Sequence, residues 1–356
     1  MSVRRAVAAL APYHFTPHQE PIKLDQNESP YDLPEALKAR VLARLAETPF
    51  NRYPELTAPS LRAKLGRYHN WPAEGIVISN GSNVLIQALV TTAALGGRVL
   101  SVEPTFSVYR LQAALQDARF EAPLLGPGFS LPLAELLQRL QGEAGVLFLA
   151  NPAAPTGNLF AEADLRTLAN ASRDWLFVID EAYHQYANSS ALPLVNDFSH
   201  VISLRTFSKA FGLGGVRLGY ALMHPELAAQ VQKTLLPFSI SALQLTVAEV
   251  LLDDAEFIER ILPERLEETR AERARVLAEL QQLPGITPYP SETNFILLRC
   301  EDAAGIYHGL LRAGIVVRRQ DHLPQLAGCL RVSIGAPQDN DAFITALRQQ
   351  LEVHHV

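Results

Sequence analysis

Cysteine is scarce in this chain: Cys300 and Cys329 are its only two, and they are not spaced as a redox or metal pair. A disulfide framework is thereby excluded, and both thiols are expected to stay reduced, as in a cytoplasmic protein. The ten histidines are scattered without metal-ligand spacing, so no metal site is expected. Charge is sparse too, at 19% of residues with a formal net charge of −6. No basic surface therefore argues for nucleic acid or membrane as a partner. No apolar stretch reaches transmembrane length. Met1 to Leu10 holds two arginines and only a short apolar run, too brief for a signal peptide, so no targeting segment is expected. Repeats and long low-complexity segments are absent as well. What remains is a chain of 356 residues with 48% hydrophobic content, ample for a large core and long enough that two lobes are expected.

The chemistry gathers around one lysine. Val201 to Leu204 is an apolar run that reads as a buried strand, and it leads through Thr206 and Ser208 to Lys209. A glycine-rich loop follows and ends at Arg217. Hydroxyls, backbone N–H groups and an arginine in one short stretch make a phosphate cradle. A lysine in their midst points to a carbonyl-bearing cofactor with a phosphate tail, which describes pyridoxal phosphate. That cofactor also takes an acidic partner for its ring nitrogen. Leu176 to Ile179 is an apolar run ending in Asp180, with Tyr183 three residues on. A carboxylate there sits where open α/β sheets bind ligands, and it would keep a pyridine nitrogen protonated. Tyr183 would donate to the ring hydroxyl. Singly, the lysine reads as a solvated side chain and the aspartate as a helix cap. The strand–Asp–x–x–Tyr and strand–Thr–x–Ser–Lys–loop–Arg patterns together are much harder to obtain by chance.

A third element belongs with these two. Ile76 to Ser79 reads as a strand, and Asn80-Gly81-Ser82-Asn83 opens an apolar helix with Asn80 or Ser82 as its cap. Free N–H groups of Ser82 and Asn83 at that helix start suit a phosphate.

On these residues, and over nearly its whole length, the chain resembles the pyridoxal-phosphate enzymes of the aspartate-aminotransferase fold, and among them most closely the histidinol-phosphate aminotransferases. The resemblance implies an active site with Lys209 as the Schiff-base lysine. It implies cofactor contacts from Asp180, Tyr183, Thr206, Ser208, Arg217, Ser82 and Asn83. Phe106 would stack on the ring face, although a core role for it stays open. Tyr53 would cross from the partner subunit to the phosphate, making the protein a homodimer with shared active sites. Tyr13 and Asn27, in the N-terminal arm, would reach the substrate. The implied reaction interconverts L-histidinol phosphate and imidazole acetol phosphate with 2-oxoglutarate and glutamate, in histidine biosynthesis. Decarboxylases of amino-acid phosphates and aromatic aminotransferases share the fold and are the alternatives. A non-catalytic cofactor sensor fits less well, because no basic N-terminal extension supplies a DNA-binding part.

One departure from the pattern stands out. Relatives carry an asparagine directly before a Pro-Thr-Gly turn, where it bonds the ring hydroxyl. This chain has Ala154 before Pro155-Thr156-Gly157, and alanine has no donor. Tyr183 then acts alone, or Asn151 or a water substitutes.

Apolar runs at 76–79, 98–102, 146–150, 176–180, 201–204 and 219–223 alternate with helical segments. They predict an α/β fold whose large lobe has a mostly parallel sheet, of the seven-stranded type, between helices. Gly219 to Met223 is expected to be antiparallel. A smaller α+β lobe is expected from strands at 295–299, 315–318 and 330–334 and helices near 302–313 and 338–351. The expected division is an arm at 1–45, a large domain at 46–252 and a small domain at 253–356. Residues 34–47 are expected as a helix with Leu37, Val41, Leu42 and Leu45 on one face. Helical sequence from 241 to 283 is expected to break at Pro263, with its second part bridging the lobes. Arg318 and Arg331 sit in or beside apolar strands, where an arginine needs an anionic partner. A salt bridge is one reading; the resemblance makes both of them ligands of the substrate's anionic end.

Overall fold

The computed structural model describes residues 3–11 and 18–354, so Tyr13 lies outside the described residues. Its strands, in chain order, are β1 (Ile22–Lys23), β2 (Ile76–Ser79), β3 (Arg98–Leu100), β4 (Arg119–Glu121), β5 (Gly145–Ala150), β6 (Leu176–Asp180), β7 (Val201–Thr206), β8 (Gly219–Leu222), β9 (Ile286–Pro288), β10 (Phe295–Cys300), β11 (Ile315–Val316), β12 (Arg318–Arg319) and β13 (Cys329–Ser333). Seven of them form one sheet in the order β2-β8-β7-β6-β5-β3-β4. The five from β7 to β4 are parallel. As expected, β8 is antiparallel, and it is so to both neighbours, β2 and β7.

The central strands are apolar on both faces because both faces are covered. Alternation along β5 shows this directly. Val146 and Phe148 pack with Leu85 and Leu89 of the helix Ser82–Ala93. Leu147 and Leu149 pack on the other side with Leu165 and Leu168 of the helix Glu162–Ala171. The parallel register aligns Ala150 with Asp180, and Asp180 with Leu204. The carboxyl ends of three strands thus meet at one sheet edge, where the following turns carry the site.

A four-stranded antiparallel sheet, β12-β13-β10-β9, forms the second layer, and β1 of the arm pairs with β11 in parallel. The helix Leu262–Gln281 links the two parts: Arg270 Nε donates to the Tyr186 carbonyl at 3.2 Å and Arg273 Nη1 to the Thr293 carbonyl at 2.9 Å.

Several expectations need correction. Both β4 and β9 went unforeseen, since Arg-Phe-Glu and a Pro-containing triplet at sheet edges carry no apolar run. The strand expected over 315–318 is two strands in different sheets, with Val317 between them. Leu37 and Val41 are buried, at 3% and 4% exposure, but Leu42 is 61% exposed, because it lies a hundred degrees off the Leu37–Val41–Leu45 stripe. The helical break falls at 253–254, before Pro263. Pro263 directly follows a π-helical turn, Phe257–Ile261, in a helical run that is continuous from 255, and the widened turn accommodates a residue without an N–H. Both cysteines are free thiols, and both are buried.

Candidate active site

The turns after β5, β6 and β7 and the start of the helix Ser82–Ala93 surround a cleft of about 350 Å³. That lies within the usual size range of small-molecule sites. Lys209, Asp180, Tyr183, Thr206, Ser208, Arg217, Ser82, Asn83, Phe106, Asn27, Arg318 and Arg331 all line it. The sequence-predicted residues are therefore brought together from strands, loops, the arm and the C-terminal sheet. Tyr53 is the exception among the described ones. It is 83% exposed and packs on Phe238, with ring centroids 4.8 Å apart, outside the cleft.

Lys209 is half-buried, and its Nζ donates to the Gln26 carbonyl at 2.7 Å. Burial above all pushes its pKa down to about 7; the positive charges of Arg331, Arg217 and Lys23 act the same way and Glu28 opposes them. Such an amine exchanges protons near neutrality, which suits a general base. One prediction follows from the shift. Between about pH 7 and the ordinary 10.5, the unfolded chain holds a proton that the folded chain has lost. This group's contribution to stability therefore rises with pH through that window. Urea unfolding of the cofactor-free protein at pH 7, 8 and 9 should show a rising component that Lys209→Met removes. An identical pH slope in the variant would contradict it.

Asp180 ends β6 and is buried at 6% exposure. Its Oδ2 accepts from the Tyr109 hydroxyl at 2.8 Å and its Oδ1 from the Ala182 N–H at 3.2 Å. Burial raises its pKa to about 6 against the pull of those two donors. A cation beside it, such as a protonated ring nitrogen, would hold it ionised. Tyr109 escaped the sequence reading. The signal was a tyrosine at a fully buried position, where its hydroxyl needs a partner. Its ring stacks on Phe148 at 4.8 Å and meets Phe106 edge-on at 5.7 Å. Phe106 remains partly exposed to the cleft, so its face is available to a flat ring.

The next residue, Glu181, turns away from the cleft. It is ion-paired with Arg205 at 2.8 Å, both 2% exposed. Ser203 and the Ala191 N–H complete its bonds, and Arg205 also reaches Ser190 and His69. A buried pair so fully bonded locks the ends of β6 and β7 together.

The phosphate cradle has a different start from the one expected. Gly81 (φ 78°), not Asn80 or Ser82, holds the cap position, and no side chain caps the helix. A Cβ at Gly81 would stand 3.0 Å from Arg217 Nη2, so glycine admits the guanidinium beside the uncapped N–H groups. Arg217 Nη1 donates to the Gly214 carbonyl at 2.7 Å and Ser208 Oγ at 3.4 Å. Ser208 N–H donates to Thr206 Oγ1 at 3.0 Å, which closes the turn. Gln244, unforeseen, joins both loops by donating to Asn80 Oδ1 at 3.0 Å and the Arg217 carbonyl at 2.8 Å. This donor set, with an amine, a carboxylate and an aromatic face, fits pyridoxal phosphate in each of its parts.

At the other end of the cleft, Arg318 and Arg331 are cross-strand partners on β12 and β13. Like charges at paired positions disfavour one another unless an anion lies with them. Arg331 Nη2 donates to the Asp25 carbonyl at 2.8 Å, and its guanidinium lies 5.2 Å from the Phe295 ring centroid. Asn294 donates to the Asn27 carbonyl at 3.1 Å from behind the cleft and does not line it. Ala154 lines the cleft, whereas Asn151 does not, and its Oδ1 is taken by the Phe160 N–H at 2.7 Å. Asn151 thus does not replace the missing asparagine.

The sequence profile of the class I and II aminotransferases matches residues 19–347. Histidinol-phosphate aminotransferase of Deinococcus radiodurans is 47% identical over 348 residues, covering 97% of this chain and 95% of that one. Histidinol-phosphate aminotransferase 1 of Ralstonia nicotianae is 37% identical, covering 98% and 94%. Among solved structures, the Sinorhizobium meliloti histidinol-phosphate aminotransferase in complex with pyridoxal-5'-phosphate superposes with a TM-score of 0.88 over 99% of this chain and 98% of that one, at 24% identity.

Proposed function

Because the chain belongs to the class I and II aminotransferase family, we propose that it is a pyridoxal-phosphate-dependent transaminase interconverting L-histidinol phosphate and imidazole acetol phosphate, with 2-oxoglutarate and glutamate as the other pair, in histidine biosynthesis. The observation that carries this reading is a lysine with a pKa near 7 in one cleft with a buried carboxylate, a phosphate cradle and two cross-strand arginines. Ser82, Asn83, Thr206, Ser208 and Arg217 hold the cofactor's phosphate, Asp180 its ring nitrogen, Tyr183 its ring hydroxyl and Phe106 its face. Bound pyridoxal phosphate supplies a carbonyl for amine exchange and an electron-accepting ring. Lys209 Nζ would then take the proton from the carbon that bears the donor's amino group and return it to the cofactor's former carbonyl carbon. Asp180 keeps its negative charge beside the ring nitrogen throughout. Arg318 and Arg331 receive the substrate's anionic end, Tyr13 of the arm reaches the substrate, and Asn27 borders the site. Histidinol phosphate has a phosphate where glutamate has its distal carboxylate, and one arginine pair serves both.

The test is a half-reaction. L-Histidinol phosphate, without oxo-acid, should bleach the yellow enzyme, and 2-oxoglutarate should restore the colour. Carbon dioxide release from phosphothreonine without bleaching would place the chain with the decarboxylases instead. Bleaching by phenylalanine alone would make it an aromatic aminotransferase.

The same reading makes the protein a cytoplasmic homodimer in which Tyr53 serves the partner's cofactor phosphate. Its support is the exposure of Phe50, Tyr53 and Leu56, with Tyr53 packed on the partly exposed Phe238. Sedimentation at working concentration should give a dimer; a fully active monomer would refute the shared site. No helix among the described residues is long and apolar enough to cross a membrane. The domains divide at about 45 and 252, in keeping with one sheet built wholly from 76–222 and another from 286–333.

A further inference from the structure

Building on that reading, we propose that Asn27 is a positioning residue for Tyr183: its side-chain amide turns the tyrosine's hydroxyl proton into the cleft. Ala154 offers no donor where it lines the cleft, so the ring hydroxyl depends on Tyr183.

The argument follows the protons. The Asn27 backbone N–H donates to Ser333 Oγ at 2.8 Å, and a backbone donor has no alternative orientation. The Ser333 hydroxyl sends its own proton to Asn27 Oδ1, 3.2 Å away. With Oδ1 so engaged, Nδ2 faces Tyr183 and donates to its hydroxyl at 2.9 Å. That hydroxyl has accepted a bond, and its proton is free to point elsewhere, into the cleft. The assembly is held firmly. Asn27 is 1% exposed in a left-handed backbone conformation (φ 53°), and Asn294 donates to its carbonyl at 3.1 Å. The Tyr183 ring is fixed edge-on against Phe295, with centroids 5.3 Å apart. The arm, the C-terminal sheet and the turn after β6 thus meet in one chain of hydrogen bonds, Ser333 to Asn27 to Tyr183. Were the amide seated the other way, its oxygen would draw the tyrosine proton out of the cleft.

The pH titration of the bound cofactor's visible absorbance tests this. A donor at the ring oxygen stabilises negative charge there and eases loss of the proton near the lysine nitrogen. Removing the donor raises the titration midpoint. Tyr183→Phe should raise it by on the order of one pH unit. Asn27→Asp keeps the shape but can only accept, so it should pull the tyrosine proton away and raise the midpoint by at least half as much. In the Tyr183→Phe background, Asn27→Asp should add clearly less than it does alone, only what its own charge contributes, because the rest acts through the hydroxyl. Ser333→Ala should give a smaller rise in the same direction. Unfolding curves of the cofactor-free variants establish that each is folded, and Ser333→Ala is the milder probe should Asn27→Asp unfold. A wild-type midpoint in Asn27→Asp, or an equal shift that persists without the tyrosine hydroxyl, would overturn the inference. Failure of the wild-type protein to bind pyridoxal phosphate would instead overturn the proposed function on which it rests.

Discussion

Lys209→Ala is expected to abolish transamination, with turnover falling by about 10⁴-fold, the upper end of what general acid–base catalysis contributes. The reason lies in where the amine stands. Its Nζ donates to the Gln26 carbonyl, and among the described residues no second lysine lines the cleft. The candidate bases left among the lining residues are poor substitutes. Asp180 is engaged by Tyr109 and Ala182, Asp25 is buried with Lys23 Nζ 3.7 Å away, and His322 lines the cleft with Arg318 and Leu323. The cradle and Asp180 are untouched by the substitution, so the variant should still bind pyridoxal phosphate. Steady-state turnover with L-histidinol phosphate and 2-oxoglutarate, alongside cofactor titration, makes the comparison. Turnover near the wild-type value would sink the assignment of Lys209.

Asp180→Asn is expected to lower turnover by roughly 10²- to 10⁴-fold while the cofactor remains bound. Asparagine copies the shape of aspartate and removes only its charge. Breaking a buried ion pair in this way costs about 3–5 kcal/mol. At 1.36 kcal/mol per tenfold, that becomes the stated loss in rate. Asp180 is 6% exposed, so water does little to replace the missing charge. In the proposed site the phosphate is held separately, by the helix start at Ser82 and by Arg217, so affinity for the cofactor should change far less than kcat. Single-turnover bleaching with L-histidinol phosphate reads the step directly. A rate within tenfold of wild type would show that the ring nitrogen needs no charged partner here.

Sequence alone determined the chemistry-bearing turns of this protein. Asp180, Tyr183, Thr206, Ser208, Lys209 and Arg217 sit within a few residues of strong apolar runs, so strand and site residue are read together. The parallel sheet was legible for the same reason: strands covered on both faces need unbroken apolar sequence. The proposed phosphate site at Ser82 and Asn83 came from one helix start, although its cap is Gly81, beside which Arg217 packs.

Only the tertiary structure decided the rest, and the cause is common to each case. Tyr109 belongs to the site because a chain segment 71 positions away brings it Asp180. Gln244 joins loops 164 and 27 residues distant. Asn27 meets Tyr183 across 156 residues and Ser333 across 306. Arg318 and Arg331 became a pair through antiparallel register, while β4 and β9 formed because an apolar neighbour recruited polar edges. A hydrogen bond's partner depends on distance in space, and local sequence carries periodicity and turn chemistry but no information on that distance. The residue types announced an amine, a carboxylate and an anion site; the fold decided which proton points where.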